Sequence, residues 1–215
     1  MKLIGAFVLC GIACLSLNSC ASLGTSTKVS APEALPKIKT VAAWPIAIRT
    51  TEQFPTEELV IPADGLSVSP NDVYGQAEHL SRSAERELLR NLRSTELFRI
   101  IEPDTVTAIV KQQDSAFARW SQVPWQSCSG GVDADAFMLT KVRFAGESNG
   151  FNTYVTLTLF EKSASAPAVT VSFNTKWGKS YFLPQPVRVT LSDAMEGAVK
   201  ALTNAMHRAQ SKVDR

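Results

Sequence analysis

Three consecutive segments near the carboxyl terminus alternate between apolar and polar residues, and they constrain the fold more than any other part of the chain. The segments run from Ala136 to Ala145, from Phe151 to Lys162 and from Val169 to Trp177. A period of two is typical of strands with one buried face. Asn149-Gly150 between the first two is a strong signal for a two-residue hairpin turn. The pattern therefore predicts an antiparallel meander of three strands. The side chains expected to be buried share one parity in each strand: Ala136, Met138, Val142 and Phe144; Phe151, Val155, Leu157 and Leu159; and Val169, Val171, Phe173 and Trp177.

Two further strands are predicted ahead of the meander. Residues Ile38 to Ile48 are apolar and largely alternating, and Pro45, which cannot donate to a ladder, places the end of this strand at an edge or a bulge. Residues 49–69 form a long connection, and a loop of this length is more often functional than accidental. Leu97 to Ile101 reads as the second strand.

Three helices are predicted from apolar residues spaced three and four apart. The first follows the cap and first-turn residues Ser69 to Asp72, the second opens at Pro103-Asp104 and runs to about Gln113, and the third begins at Ser192-Asp193. Glu85 is expected to be solvated, together with Arg86, Arg90 and Arg93. The buried stripes are expected to contain Ala77, Leu80, Ala84, Leu88 and Leu92; Val106, Ile109 and Val110; and Met195, Ala198, Val199, Leu202, Ala205, Met206 and Ala209.

The predicted element order is strand, helix, strand, helix, three strands, helix. Helices and strands that alternate and then give way to a meander are typical of the α+β class. We expect one mixed sheet with the helices packed on one face.

The amino terminus has the pattern of a secretory signal. Met1-Lys2 is followed by an apolar run from Leu3 to Leu17, which is too short for a spanning helix of about 20 residues. Small residues then precede Cys20, as at a signal cleavage site. The pattern predicts export and removal of residues 1–19.

Leu17-Asn18-Ser19-Cys20 resembles the lipobox of bacterial lipoproteins, in which an aliphatic residue and a small residue precede a cysteine. The resemblance implies that the Cys20 thiol receives a diacylglyceryl group and that the new amino terminus is acylated. Ala21, in place of an aspartate, implies sorting to the outer membrane, with the inner membrane as the alternative. A plain secretory signal followed by a chance cysteine is the other interpretation.

Residues 20–36 are rich in Ser, Thr, Ala, Gly and Pro, a composition typical of flexible spacers. We therefore expect a lipidated tether over 20–36 and a single periplasmic domain over 37–215. Cys128 is the one cysteine left in that domain, so an intramolecular disulfide is excluded there, and a buried, inert thiol is favoured over an intermolecular bond.

Residues 114–132 are irregular and carry Trp120 and Trp125. Two tryptophans bring more apolar area than a loop normally needs. One interpretation is a flap folded over the core, and the other is a partner-binding surface, because exposed tryptophan is enriched at binding hot spots.

No pattern in the chain names a reaction. His79 and His207 lie on different predicted helices, and neither has a second histidine four residues away, as a helical metal pair requires. Asp133 and Asp135 alternate at the start of a strand, where capping is favoured over acid–base chemistry or calcium binding. With a net charge of +2 and no basic block, nucleic acid is a poor partner. We expect a non-enzyme without cofactor or metal.

The element order resembles the small exported domain shared by the curli secretion lipoprotein, the amino-terminal domain of the Tol-system β-propeller protein and lipoproteins that activate penicillin-binding proteins. Val41 to Ile46 is similar to that domain's first strand, Leu88 to Ile101 to its first helix and following strand, and Asp133 to Ala136 to its entry into the meander. The resemblance implies a lipid-anchored envelope protein, and together with the tryptophans of residues 114–132 it leads us to expect a non-catalytic adaptor that binds another envelope protein through Trp120 and Trp125. The alternative is a ligand- or lipid-binding auxiliary component of an envelope transport or secretion system.

Overall fold

The computed structural model of the chain describes residues 24–46, 72–113, 129–147, 150–175 and 187–213. Single 3₁₀ turns span Leu35–Lys37 and Ser129–Gly131. The described helices are α1 (Asp72–Arg93), α2 (Pro103–Gln113) and α3 (Val187–Val213), and the described strands are β1 (Thr25–Val29), β2 (Thr40–Ala43), β3 (Arg99–Ile101), β4 (Ala136–Glu147), β5 (Gly150–Glu161) and β6 (Val169–Asn174).

All six described strands form one mixed sheet in the order β1-β6-β5-β4-β2-β3. The short strand β2 pairs in parallel with β3 on one side and with β4 on the other. The meander β4-β5-β6 and the edge strand β1 pair in antiparallel fashion. The chain therefore has the α+β fold with one mixed sheet that the element order predicts.

The meander has the predicted buried parity, but Gly150 is already paired with Glu147, so β4 and β5 meet one residue earlier than a two-residue turn at Asn149-Gly150 would place them. β4 and β5 pair along their whole lengths, from Ala136 opposite Glu161 to Glu147 opposite Gly150. Phe151 and Trp177 lie outside the residues whose side chains are described. The other predicted positions contact the main core cluster: Ala136, Met138, Val142, Phe144, Val155, Leu157, Leu159, Val169, Val171 and Phe173.

The helices cover both faces of the sheet. Residues of α1 and α3 share a core cluster with Val41, whereas Val106 and Val110 of α2 belong to a second cluster with Ala42 and Phe137. Successive residues of a strand point to opposite faces, so α2 lies on the face opposite to α1 and α3. The expectation of all helices on one face therefore holds for the two long helices and fails for α2.

The handedness of parallel connections explains the position of α2. The chain moves from β2 through α1 to β3, and then back across β2 through α2 to β4. Connections between parallel strands are right-handed in nearly all proteins. Two right-handed connections that travel in opposite directions across a sheet must place their helices on opposite faces.

The stripe of α1 is confirmed at Leu80, Ala84, Leu88 and Leu92, while the side chain of Ala77 is not described. Glu85 contradicts the expectation, since it is 5% exposed and its Oε1 accepts a hydrogen bond from the backbone N–H of Ile46 at 3.0 Å. Glu85 lies three residues before Leu88 and therefore on the buried side of the helix.

Helix α3 begins earlier than predicted. It starts at Val187 rather than at Ser192-Asp193, because the buried stripe extends upstream to Leu191, which is 1% exposed. The Ser192 hydroxyl donates to Glu87 and accepts from Arg90, both on α1, so it joins two helices instead of capping one. Gly197 lets α3 approach the sheet, because a Cβ there would lie 2.3 Å from the Phe173 ring.

The predicted tether is wrong from Thr25 onwards. Thr25–Val29 pairs with β6 as an edge strand, and Leu35 is fully buried. The segment alternates, with Thr25, Thr27 and Val29 opposite core residues of β6, and this period of two outweighs its small, polar composition. The folded domain thus begins well before residue 37.

Strand β2 is shorter and more central than expected, since it ends at Ala43 between two neighbours. The Trp44 N–H still donates to the Met138 carbonyl at 2.9 Å, and Pro45, which has no N–H, stops the ladder there. The predicted connection 49–69 and the cap residues 69–71 lie outside the described residues.

Leu88→Ala in α1 and Leu202→Ala in α3 should each lower the free energy of unfolding by about 2–5 kcal/mol, because each removes a buried leucine from the main cluster. Chemical denaturation measures the loss. Lys200→Ala, at an exposed position of α3, is the control and should change stability by less than about 0.5 kcal/mol. Losses that small at both leucines would contradict the assigned helix faces.

Candidate functional site

Several residues that the sequence singles out lie outside the described residues: Cys20, Trp120, Trp125 and Cys128. His79 and His207 are exposed on separate helices. Within the described ranges, no three His, Cys, Asp or Glu side chains are grouped as metal ligands. None of the helices described is both long enough and apolar enough to cross a membrane.

Asp135 joins the beginnings of two parallel strands. Its Oδ2 accepts the backbone N–H groups of Lys39 at 2.9 Å and Thr40 at 2.7 Å, immediately before and at the start of β2. Its own N–H donates to the Thr40 carbonyl, and its carbonyl accepts from the Lys162 N–H at the end of β5. The predicted capping role of Asp135 is confirmed. We call the end of the sheet at which β2 and β4 begin the Asp135 end.

The two backbone donors lower the pKa of Asp135 below its ordinary value of 3.8; desolvation opposes them in part, and the charges of Arg99 and Lys162 add smaller effects in the lowering direction. Hydrogen bonds to a carboxylate favour its ionised form. Asp135 is therefore ionised throughout the neutral range, and it acts as an acceptor rather than as an acid.

A cleft of about 320 Å³ opens beside Asp135, and the apolar residues Ala34, Ile38 and Ala134 line it together with charged residues. Lys37 lies on one side of it, and Glu161 and Lys162 lie on the other. The Lys162 ammonium donates to the Val132 carbonyl at 2.7 Å. The lining thus combines charged groups with apolar surface, and the volume lies at the lower end of the range of small-molecule pockets.

The segment that carries the two tryptophans is attached at the same end. Residues 114–128 follow Gln113 at the end of α2 and precede the turn Ser129–Gly131. These flanks are adjacent, because the Gln113 side chain fills the space that a Cβ on Gly131 would take. Val132 is in turn linked to the cleft through Lys162. Both flanks of the tryptophan segment are thus fixed at the Asp135 end.

The chain enters the fold at the opposite end of the sheet, where β2 and β4 finish. The Gly24 carbonyl accepts the Asn174 N–H at 2.8 Å, Asn174 pairs with Tyr154, and Tyr154 pairs with Arg143. These four residues form one row across β1, β6, β5 and β4. We call this end of the sheet the Gly24 end.

The sheet face on the α2 side is polar over β1, β6, β5 and the outer half of β4. Its side chains are exposed or half-buried, and the Thr156 and Ser172 hydroxyls bond each other at 3.0 Å. The Arg143 guanidinium lies 4.2 Å from the centre of the Tyr154 ring. We call the following residues the polar face: Ser26, Lys28, Lys141, Arg143, Tyr154, Thr156, Thr158, Thr170, Ser172 and Asn174.

The polar face as defined contains three cations and no carboxylate; Glu147 at the far end of β4 has the same parity as Arg143, and its side chain is not among those described. No carboxylate of the described chain forms an ion pair with Lys28, Lys141 or Arg143. Sequence analysis missed this surface, although the alternation that buries Val142 and Phe144 also places Lys141 and Arg143 on the other side of β4.

Comparisons with known proteins show no family. No protein-family model matches the chain, and no curated protein matches it. Among solved structures, the chain is similar to the PelC dodecamer from Paraburkholderia phytofirmans, with 15% identity, a TM-score of 0.40 and coverage of 85% of this chain and 96% of that one. It is also similar to the hypothetical protein CT253 from Chlamydia trachomatis, with 12% identity, a TM-score of 0.44 and coverage of 79% and 99%.

Asp135→Asn should weaken the hydrogen bonds that join the start of β2 to the start of β4. It should also make the melting temperature fall less steeply as the pH is lowered. A carboxylate whose pKa is lowered by folding adds stability above its unfolded pKa, and that stability is lost as the pH falls through the folded value. Melting temperatures measured from pH 7 down to below the ordinary carboxylate pKa check this. Asp133→Asn is the matched control, and equal acid profiles for Asp135→Asn and the parent would contradict the role of Asp135.

Proposed function

We propose that the chain is a lipid-anchored lipoprotein of the bacterial envelope, held at the periplasmic face of the outer membrane, and that it acts as a non-catalytic adaptor for another envelope protein. The observation that carries the proposal is the separation of the two ends of the sheet. The chain enters the fold at the Gly24 end, and the tryptophan segment is attached at the Asp135 end.

The anchor is supported by how little chain lies between Cys20 and the sheet. Three residues lie between Cys20 and Gly24, so their Cα atoms are four steps, or at most about 14 Å, apart. Acylation of Cys20 would therefore hold the Gly24 end close to the membrane. A domain restrained in this way presents its other end to the periplasm.

The distance between the two ends supports the adaptor role. Along β5 and just beyond it, Tyr154 lies in the Gly24 row and Lys162 lies beside Asp135. Eight residues of extended chain span about 27 Å. The flanks of the segment that carries Trp120 and Trp125 thus lie at the end of the domain away from the proposed lipid anchor, which is the end that would face a partner in the periplasm.

A second candidate function is suggested by the cleft at the Asp135 end. Lys37, Lys162, Asp135 and Glu161 line it together with Ala34, Ile38 and Ala134, so it offers charged groups and apolar surface to a small ligand. In that case the protein would be the ligand-binding auxiliary component of an envelope transport or secretion system. The adaptor is favoured because the tryptophans are attached beside this cleft.

Cys20→Ala should prevent acylation and release the protein from the membrane. Each buried methylene contributes about 0.8 kcal/mol, and stable anchoring takes two or more lipid signals. Membrane fractionation and intact-mass measurement check the prediction, and Cys128→Ala is the matched control that should leave both unchanged. Equal membrane retention and equal mass for Cys20→Ala and the parent would contradict the anchor.

Trp120→Ala combined with Trp125→Ala should remove most of the crosslinking to the envelope partner while changing stability by less than about 0.5 kcal/mol, as surface substitutions do. Crosslinking in intact envelopes and thermal melts measure the two effects. Trp44→Ala is the control for a buried tryptophan, since Trp44 is 8% exposed and its truncation should cost about 3–5 kcal/mol. A comparable loss in the double variant, with crosslinking intact, would show that the segment is a flap over the core.

A further inference from the structure

We infer that the polar face at the Gly24 end lies against the anionic headgroups of membrane phospholipids, with Lys141 and Arg143 as the contacting cations. The inference rests on the proposed lipid anchor at Cys20 and adds to it the orientation of the domain. It is argued from the strand register, the reach of the chain that precedes the sheet, and the charges of one face.

The register places Arg143 at the point where the chain leaves the sheet towards Cys20. Gly24, Asn174, Tyr154 and Arg143 form one row across four strands. Lys141 lies on the same face of β4, two residues inside that row, which is about 7 Å. Arg143 therefore lies in the same row as Gly24, and Lys141 lies about 7 Å from that row. A chain of at most about 14 Å connects Gly24 to the proposed lipid at Cys20.

The β4–β5 hairpin limits how the domain can turn about this anchor. Beyond the Arg143 row, β4 continues for four residues to Glu147, paired with β5 to its end. Four strand residues extend about 14 Å, which equals the reach of the four steps from Gly24 back to Cys20. The hairpin therefore extends as far beyond this row as the chain to Cys20 can reach at most, so contact of Arg143 with the headgroups requires the polar face, rather than the hairpin tip alone, to lie against the membrane.

The charges of the polar face match an anionic surface. Lys28, Lys141 and Arg143 are exposed, no described carboxylate pairs with them, and the remaining side chains of the face are hydroxyls, one phenol and one amide. The cations of α1 differ in this respect, since Arg82, Arg90 and Arg93 are paired with Asp104, Glu87 and Glu102. Tyr154 fixes the guanidinium of Arg143 through a cation–π contact. Each basic residue near an anionic surface strengthens binding about fivefold.

Site-specific crosslinking to lipid tests the orientation. The full-length acylated protein is reconstituted into phosphatidylethanolamine vesicles that contain radiolabelled phosphatidylglycerol, with benzoylphenylalanine in place of Lys141 or, as the matched control, in place of Lys37. Both lysines are exposed, and Lys37 lies at the Asp135 end. The expected result is a yield of lipid adduct at least about fivefold higher at position 141. Equal yields, or a higher yield at position 37, would overturn the inference.

A charge-reversal variant tests whether the cations themselves bind the headgroups or merely lie near them. In the chain with the photoprobe at 141, Arg143→Glu should lower the adduct yield at least about fivefold, while Arg143→Lys and the matched reversal Lys37→Glu should leave it unchanged. A thermal melt of each variant confirms folding. An Arg143→Glu chain that is folded and retains the full yield would overturn the role of the cations.

The same samples distinguish failure of this inference from failure of the proposed anchor. Intact-mass measurement reports acylation of Cys20, and vesicle flotation reports retention. An acylated, retained chain that crosslinks through position 37 would overturn only the orientation. An unacylated chain that the vesicles do not retain would overturn both the anchor and the orientation.

Discussion

The parallel pairing of β2 with both β3 and β4 is the constraint on which the rest of the fold depends. It requires one crossover from β2 to β3 and a second from β3 back across β2 to β4, and because these travel in opposite directions, right-handed crossovers place α1 and α2 on opposite faces of the sheet. Because α1 and α3 share one face, the main core lies there. Among the described residues, α2 covers this second face near β2 and β4, and the polar face lies over the meander and β1. The short strand β2 thus determines both the position of the core and the position of the polar face.

The elements with a strong period were predictable from the sequence, and the connections among them were less so. The meander, the stripes of α1 and the α+β class follow from spacing alone, since a period of two or of 3.6 is a local property. The side of the sheet that α2 covers depends instead on strand order, which no local pattern contains. Strand β1 was not predicted, because its side chains are small and mostly polar. Thr25, Thr27 and Val29 nevertheless lie at alternate positions, as in an edge strand. Glu85 was assigned to the solvated side from its charge, whereas its spacing from Leu88 places it on the buried one.

The candidate site was predictable in part for the same reason. Asp135 could be placed at the start of a strand, and its capping role followed from its position. Its importance depends on long-range pairing, because its partners Lys39 and Thr40 lie almost a hundred residues away. The cleft with Lys37 and Lys162 and the row from Gly24 to Arg143 likewise join residues from distant parts of the chain. Trp120, Trp125 and Cys20 were found from composition and motif, and their roles remain predictions.

The polarity of the sheet connects the two proposals. β1 runs opposite to β2 and β4, because it pairs in antiparallel fashion with β6, which pairs in the same fashion with β5. A chain that enters through β1 must therefore enter at the end where β2 and β4 finish, while the segment between α2 and β4 must lie where β4 begins. An anchor upstream of β1 and a binding segment upstream of β4 consequently lie at opposite ends of the same strands. The separation of about 27 Å is a property of the topology, and it would persist under any substitution that preserves the strand order.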